Sequence, residues 1–389
     1  MQKAYRQLIL GMIGLFIVMA IGRFAYTPIM PFMQQTGHMD NQSAGLLATI
    51  NYLGYLIGAI IPIWIVVFSK VTDLKVYLLI NIVSTILMGL FDNFTLWIIF
   101  RLIAGITSGT VFVLASNVAL EALRAANKGR ISGMLYSGVG LGIFTSSIFI
   151  FLFTTENNWK ITWILLGVFA LVMGSFVFFG MRQNSNVENE TQTLNEKEDK
   201  PKVKLNKKFI WGFSIAYFCE GAGYIITGTF LVAIVKSIPE FADYAALSWM
   251  FVGLGAIPST ILWSMMAEKL GYSKATNLAF ILQIIAVILP VFSESITSLV
   301  ISSILFGATF LGLTTLFMSK AQTLMFQSNS KINLVASLTV IYSLGQMIAP
   351  ALSGVLIGES GNYNAALIFA SIILCVGLLS SMYSYRVTN

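Results

Sequence analysis

Apolar and polar positions alternate along this chain on the scale of whole helices. Twelve apolar runs stand near 8–35, 43–68, 75–91, 96–119, 131–153, 161–181, 209–235, 244–266, 275–292, 297–318, 333–357 and 364–385. Their lengths are close to the ~17–25 residues that a helix needs to cross a bilayer. Turn formers and charges fill the breaks between them, as at 69–75, 121–130, 237–243 and 268–274. The pattern predicts an all-α integral membrane protein with twelve spans. The first run follows Lys3 and Arg6, as a signal peptide would. It is too long for one and lacks a small-residue cleavage site, so it reads as a retained span.

One break is long. Residues 182–208 are polar, rich in charge and poor in aromatics, which predicts a solvated linker. It divides the chain into an N-terminal six-span half (1–181) and a C-terminal six-span half (209–389). The halves repeat. Gly54, Trp64, Lys70 and Lys75 recur as Gly253, Trp263, Lys269 and Lys274, each 199 positions later. Gly105 and Thr107 are echoed by Gly307 and Thr309, Tyr136-Ser137 by Tyr342-Ser343, and Tyr26 by Tyr224. Duplicated halves with a site between them are the architecture of secondary transporters.

Composition agrees. The chain is 57% hydrophobic and 10% charged, against about 25% charged for a soluble domain. The net charge of +7 could suggest nucleic acid, but nearly all the Lys and Arg fall in alternate breaks. That asymmetry predicts both termini in the cytoplasm of a cell-membrane protein. Cys219 and Cys375 lie in apolar runs and His38 is the only histidine, so neither a disulfide framework nor a metal site is expected. No phosphate-cradling loop and no Ser–His–Asp set is present. An enzyme is not expected, and neither is a cofactor or ATP as the power source.

Several motifs carry a family resemblance. The fourth span reads Arg101-Leu-Ile-Ala-Gly105-Ile-Thr-Ser-Gly109, and the loop after the eighth reads Ala267-Glu268-Lys269-Leu270-Gly271-Tyr272-Ser273-Lys274. Both resemble motifs of the major facilitator superfamily; the first copy of the loop, Ser69 to Lys75, is degenerate and lacks the glycine. The fifth span, Tyr136-Ser-Gly138-Val-Gly140-Leu-Gly142, is similar to the glycine-rich motif of its exchangers but lacks the usual proline. Gly22-Arg23-Phe24-Ala25-Tyr26-Thr27-Pro28 and Thr227-Gly228-Thr229-Phe230 resemble the YbfB/YjiJ-type branch. The resemblance implies the twelve-helix major facilitator fold, with spans one and seven brought to a central cavity.

Two charges stand inside those spans. Arg23 lies deep in the first, where an arginine costs roughly 2.5–3.5 kcal/mol on insertion scales. Glu220 is the one acid placed within a span, at nearly the repeat position of Arg23 in the seventh. Intramembrane charges are functional by default. In the arrangement that the resemblance implies, Arg23 and Glu220 face each other across the cavity. The pair could be a static brace. Alternatively, a substrate carboxylate takes Arg23 and leaves Glu220 free to bind a proton. Glu220, Tyr224 and Thr227 share one helical face, as do Arg23, Tyr26 and Thr27. Arg101 could snorkel outward or pair with Asp92; the motif resemblance gives it an anion or proton-relay role. Asn51, Tyr55, Tyr136, Gln283, Tyr342 and Gln346 complete the expected substrate-binding set, each with a plain helix–helix hydrogen bond as its alternative. Gly105, Gly109, Gly138 and Gly142 allow close packing and could serve gating, as could Glu268 and Lys269.

The expected function is proton-coupled alternating access for a small organic solute bearing an anionic group, with a slight preference for export. The expected partners are substrate, protons and lipid, with no nucleic acid, and the expected state is a monomer. Alternatives are an uncoupled or anion-exchanging facilitator and a non-transporting sensor.

Overall fold

The structure, a computed structural model, describes residues 2–35, 39–126, 128, 131, 133–155, 158–182, 206–327 and 334–387. His38 and residues 183–205 of the expected linker lie outside the described residues. Twelve helices long and apolar enough to cross a membrane run in chain order. They are α1 (Gln2–Gln35), α2 (Asn41–Trp64), α3 (Lys70–Leu90), α4 (Phe94–Ala125), α5 (Met134–Phe153), α6 (Trp159–Gly180), α7 (Lys207–Lys236), α8 (Ala245–Leu270), α9 (Tyr272–Phe292), α10 (Ile296–Gln327), α11 (Leu334–Ile357) and α12 (Tyr363–Arg386). Among the described residues there is no strand.

The ends of the helices follow local capping chemistry, and one expected boundary moves. The second apolar run extends to residue 68, yet α2 stops at Trp64. Asp73 explains this: its carboxylate accepts the backbone N–H groups of Val67 (2.7 Å) and Phe68 (3.1 Å), which turns the chain. Ser69 then caps α3 by accepting from the Thr72 N–H, so α3 begins at Lys70 rather than 75. At the matching loop of the second half, Gly271 closes α8 at φ 81°, a left-handed value that glycine adopts without cost. Lys70 reaches across to Glu121 of α4 at 2.5 Å. Both α4 and α10 run past the expected spans, to Ala125 and Gln327.

Contacts between helices obey the repeat. Within the first half α2 packs on α4, α3 on α4 and α3 on α6; within the second, α8 packs on α10, α9 on α10 and α9 on α12. The halves meet along two seams, α2 with α11 and α5 with α8. Exchanging the halves, so that α2 becomes α8 and α11 becomes α5, turns one seam into the other, as a two-fold relation between duplicated halves requires. Polar links across the halves concentrate at the end away from the termini. There Thr27 donates to the Gly228 carbonyl (2.5 Å), Asn41 to the Gly358 carbonyl (2.9 Å), and the Ala351 N–H to Thr49 (3.2 Å). Toward the termini the recorded links belong to the α5–α8 seam, where Ser137 donates to Ile257 and Thr260 to Gly133.

Glycines set how closely these helices approach. A Cβ at Gly105 would meet the Asn51 carbonyl and Gly54 of α2, and one at Gly109 would meet the Tyr55 carbonyl. Gly138 and Gly142 face Met12, Phe16 and Ala20 of α1. All four therefore pack helices within the first half. The glycine of α5 that faces the other half is Gly140, against Ala256 and Ile257 of α8. Replacing Gly105 with Val should destabilise the protein by about 1–3 kcal/mol, the range for overpacking a tight contact. A thermal melt of the detergent-solubilised variant unchanged from wild type would contradict that packing.

Candidate functional site

The site is built on a break in α1. Residues Phe16–Phe24 wind as π-helix inside an otherwise α-helical span, a distortion frequent at functional sites. The sequence supplies a local cause. Pro28 has no N–H to offer the carbonyl five residues before it, that of Arg23. Carbonyls of this stretch accept from side chains of α4. Arg101 donates from Nη1 to the carbonyls of Gly22 (3.3 Å) and Arg23 (3.4 Å), and Ser108 donates to that of Val18 (2.9 Å). Asn81 of α3 donates to Thr107 and Ser108 on the same face of α4. Its side chain fills the space that a Cβ on Gly22 would need.

Arg101 is therefore neither snorkelling nor paired with Asp92. It is 1% exposed and sits over the Tyr26 ring (4.5 Å), while Asp92 pairs with Lys160 at 2.5 Å. Sequence alone could not give the partner, because any backbone carbonyl can accept and none has a sequence signature.

Arg23 has a different environment. Its guanidinium lies over the rings of Tyr55 (4.2 Å), Tyr52 (4.5 Å) and Phe24 (5.2 Å), and the Tyr224 and Tyr342 hydroxyls are within electrostatic reach. It is 2% exposed, and its Nε and Nη2 groups have no hydrogen-bond partner. Desolvated cation–π contacts are worth up to about 2 kcal/mol each, enough to offset much of the burial cost. They leave the N–H groups of Nε and Nη2 unsatisfied, at roughly 1–3 kcal/mol for each group.

Glu220 does not neutralise this cation. No ion pair joins Arg23 and Glu220, so the alternative of a static brace is absent from this structure. The Glu220 Oε1 atom accepts from Gln283 Nε2 of α9 (3.1 Å), and Oε2 has no partner. The cause is helical register: Tyr224, one turn further along α7, occupies the position toward Arg23, and its hydroxyl accepts from Gln346 Nε2 of α11.

Aromatic rings connect these groups. In the first half Tyr136 stacks on Phe112 (5.5 Å), which meets Tyr55 edge-on (6.1 Å). In the second half Tyr217 stacks on Tyr342 (4.4 Å), Tyr342 on Tyr224 (5.9 Å) and Tyr224 on Phe310 (5.5 Å). Phe310 then meets Phe24 (6.2 Å). Of the expected binding residues, Arg23, Tyr55, Tyr136, Tyr224, Tyr342 and Gln346 lie on these two arms. Glu220 and Gln283 form a separate pair beside the second arm. Tyr26 instead bonds the Ala44 carbonyl (2.9 Å), Thr27 seals the halves, and Asn51 donates to the Arg101 carbonyl (2.8 Å). The Thr227 hydroxyl is buried without a partner. Glu268 and Lys269 are exposed at the end of α8. Tyr52, Tyr217 and Phe310 escaped the sequence reading. Tyr52 lies three residues before Tyr55, and Tyr217 three before Glu220, spacings that put each on the face already singled out.

The profile of the family described as "Uncharacterised MFS-type transporter YbfB" matches residues 15–382. The chain belongs to this family. As an MFS-type transporter it shares its fold with a crystal structure of the nucleoside transporter NupG, with a TM-score of 0.72 and 13% identity over 99% of this chain and 100% of that one. It likewise resembles a bacterial homolog of the human lysosomal transporter Spinster, inward-facing and occupied, with a TM-score of 0.69 and 16% identity over 98% and 97% of the two chains. Sequence similarity to Azole resistance protein 1 of Saccharomyces cerevisiae is 22% over 177 residues, which is 45% of this chain and 28% of that protein. These findings make the protein a multi-pass membrane transporter and not an enzyme.

Arg23 and Arg101 should respond differently to removal. Arg101→Met leaves three α1 carbonyl contacts without their donor and should lower stability by about 1.5–3 kcal/mol, the range for hydrogen bonds to a charged group. Arg23→Gln removes a buried charge and should leave the melting temperature unchanged or raise it. Thermal unfolding in detergent checks both, and a larger loss for Arg23→Gln than for Arg101→Met would reverse the assignment.

Proposed function

We propose that this transporter moves a small organic anion with a planar or aromatic portion across the cell membrane, coupled to protons at Glu220. The observation that carries the reading is the buried guanidinium of Arg23, with two unpartnered nitrogens and a wall of aromatic faces. A carboxylate seats in the plane of a guanidinium with parallel hydrogen bonds, so an incoming anion supplies what the protein leaves out. Stacked rings of Tyr217, Tyr342 and Tyr224 on one arm, and of Tyr136 and Phe112 on the other, suit the flat remainder of the molecule.

Transport proceeds by alternating access of the two halves, with the termini in the cytoplasm. The linked ends of α1/α7 and α2/α11 then form the closed outer face. Opening that face requires Thr27 to release Gly228 and Asn41 to release Gly358. Export is the direction we assign, on the glycine-rich face of α5. The protein works as a single chain.

Flux into proteoliposomes under an imposed pH gradient tests this reading, with a panel of aromatic carboxylates and their neutral amides. Wild type should move at least one acid uphill and none of the amides. Arg23→Gln should lower its flux by tenfold or more, and Glu220→Gln should retain exchange but lose gradient dependence. Gradient-independent flux in wild type would instead favour a facilitator.

A further inference from the structure

The membrane-spanning helices hold a second unusual group besides Arg23, and its surroundings differ in kind. Glu220 is fully buried. Its one hydrogen bond comes from a neutral amide, Gln283 Nε2 to Oε1 at 3.1 Å. Two further atoms of the same two side chains, Glu220 Oε2 and Gln283 Oε1, are buried with no partner. Both are acceptors if Glu220 is ionised, and a buried acceptor left unpaired costs roughly 1–3 kcal/mol, more when it is charged. One proton removes both deficits. A carboxylic acid is a donor and an acceptor side by side, and so is a primary amide.

From this we infer that Glu220 and Gln283 form a closed acid–amide pair. The Oε2–H of a neutral Glu220 donates to Gln283 Oε1, and Gln283 Nε2 donates back to Glu220 Oε1. Gln283 is then a positioning residue that holds the protonated form of Glu220 and ties α7 to α9 inside the second half. The proton site is thereby distinct from the anion site at Arg23. This deepens the proton-coupled reading above and rests on Glu220 being its proton site.

The groups packed around Glu220 agree with a neutral acid. On α7 itself its neighbours are Tyr217, Cys219 and Tyr224, all uncharged when protonated. The α11 helix contributes Tyr342 and no charged residue along its length. From α10 come Thr314 and Phe317, partners of Tyr342 and Tyr217, and its one charge, Lys320, lies further toward the end of that helix. The charged residue of α9, Lys274, stands in its first turn, far from Gln283, and those of α8, Glu268 and Lys269, stand in its last. On α12 the titratable residues are Tyr363, Cys375, Tyr383, Tyr385 and the terminal Arg386. The buried cation Arg23 of α1 is not bonded to Glu220.

Infrared difference spectroscopy of the purified full chain in lipid nanodiscs, titrated over pH, reads the carboxyl group directly and needs no substrate. Wild type at neutral pH should show the C=O stretch of a protonated carboxyl, at the lowered frequency of a hydrogen-bonded acid. Glu220→Gln should abolish that band. Gln283→Leu should keep the band and shift it upward, to the frequency of an acid without a partner. Gln283→Asn, a shorter amide that keeps the site polar, should give an intermediate shift and serves if the leucine variant does not fold. The inference is overturned if wild type shows no such band at neutral pH, or if its frequency ignores both substitutions at Gln283. A band that shifts as expected, in a protein without gradient-driven flux, would support the pair and overturn the coupling reading alone.

Discussion

A guanidinium that lies in hydrocarbon with two of its nitrogens unpartnered is the constraint on which the site depends. The rings of Tyr52, Tyr55 and Phe24 make Arg23 tolerable there, because cation–π attraction strengthens as water is removed. They act on the faces of the group and leave its Nε and Nη2 donors without a partner. A structural arginine of α4 shows the contrast. Arg101 directs both its Nη groups at carbonyls of the π-helical stretch of α1. The mis-wound backbone thus occupies one arginine while leaving the other available. Both depend on the same distortion, and Pro28 removes a donor from it.

The surrounding fold presents that cation between its two halves. Glycines at the α2–α4 and α5–α1 crossings make the first half compact, with backbone against backbone. The seams between halves also bring backbones close, as at Gly140 against Ile257 and Gly45 against Pro350, and they carry a handful of polar links, concentrated away from the termini. Each half contributes one aromatic arm. The arms meet near Arg23 through Tyr55 on one side and through Phe310 and Phe24 on the other. A ligand bound there touches both halves at once, which is the condition for its binding to alter the equilibrium between their arrangements.

Much of this was legible in the sequence, for physical reasons. Hydrocarbon admits only long apolar helices, so the twelve spans could be counted. The duplication showed in pairs such as Trp64 and Trp263, and the seams obey it. Arg23 and Glu220 stood out because charges inside spans are costly. Their relation did not, since a shared repeat position says nothing about which way a side chain turns. Tyr224 occupies the place that a brace would have given to Glu220. The role of Arg101 was hidden for a different reason: its partners are backbone carbonyls, which have no sequence signature. Gln283 was singled out as a polar residue in an apolar span, but its pairing with Glu220 joins helices whose register no spacing rule supplies. Asp73 moved the start of α3 by turning the chain at Val67, a contact between neighbours that a hydropathy window averages away.

We propose above that Arg23 receives the anion. Ligand-induced thermal stabilisation of the purified protein tests it most directly, with matched aromatic acids and amides applied to wild type and to Arg23→Gln. The account predicts that at least one acid raises the melting temperature of wild type, that its amide does not, and that the shift disappears in the variant. Equal stabilisation by acid and amide, or a shift that survives the loss of Arg23, would contradict it.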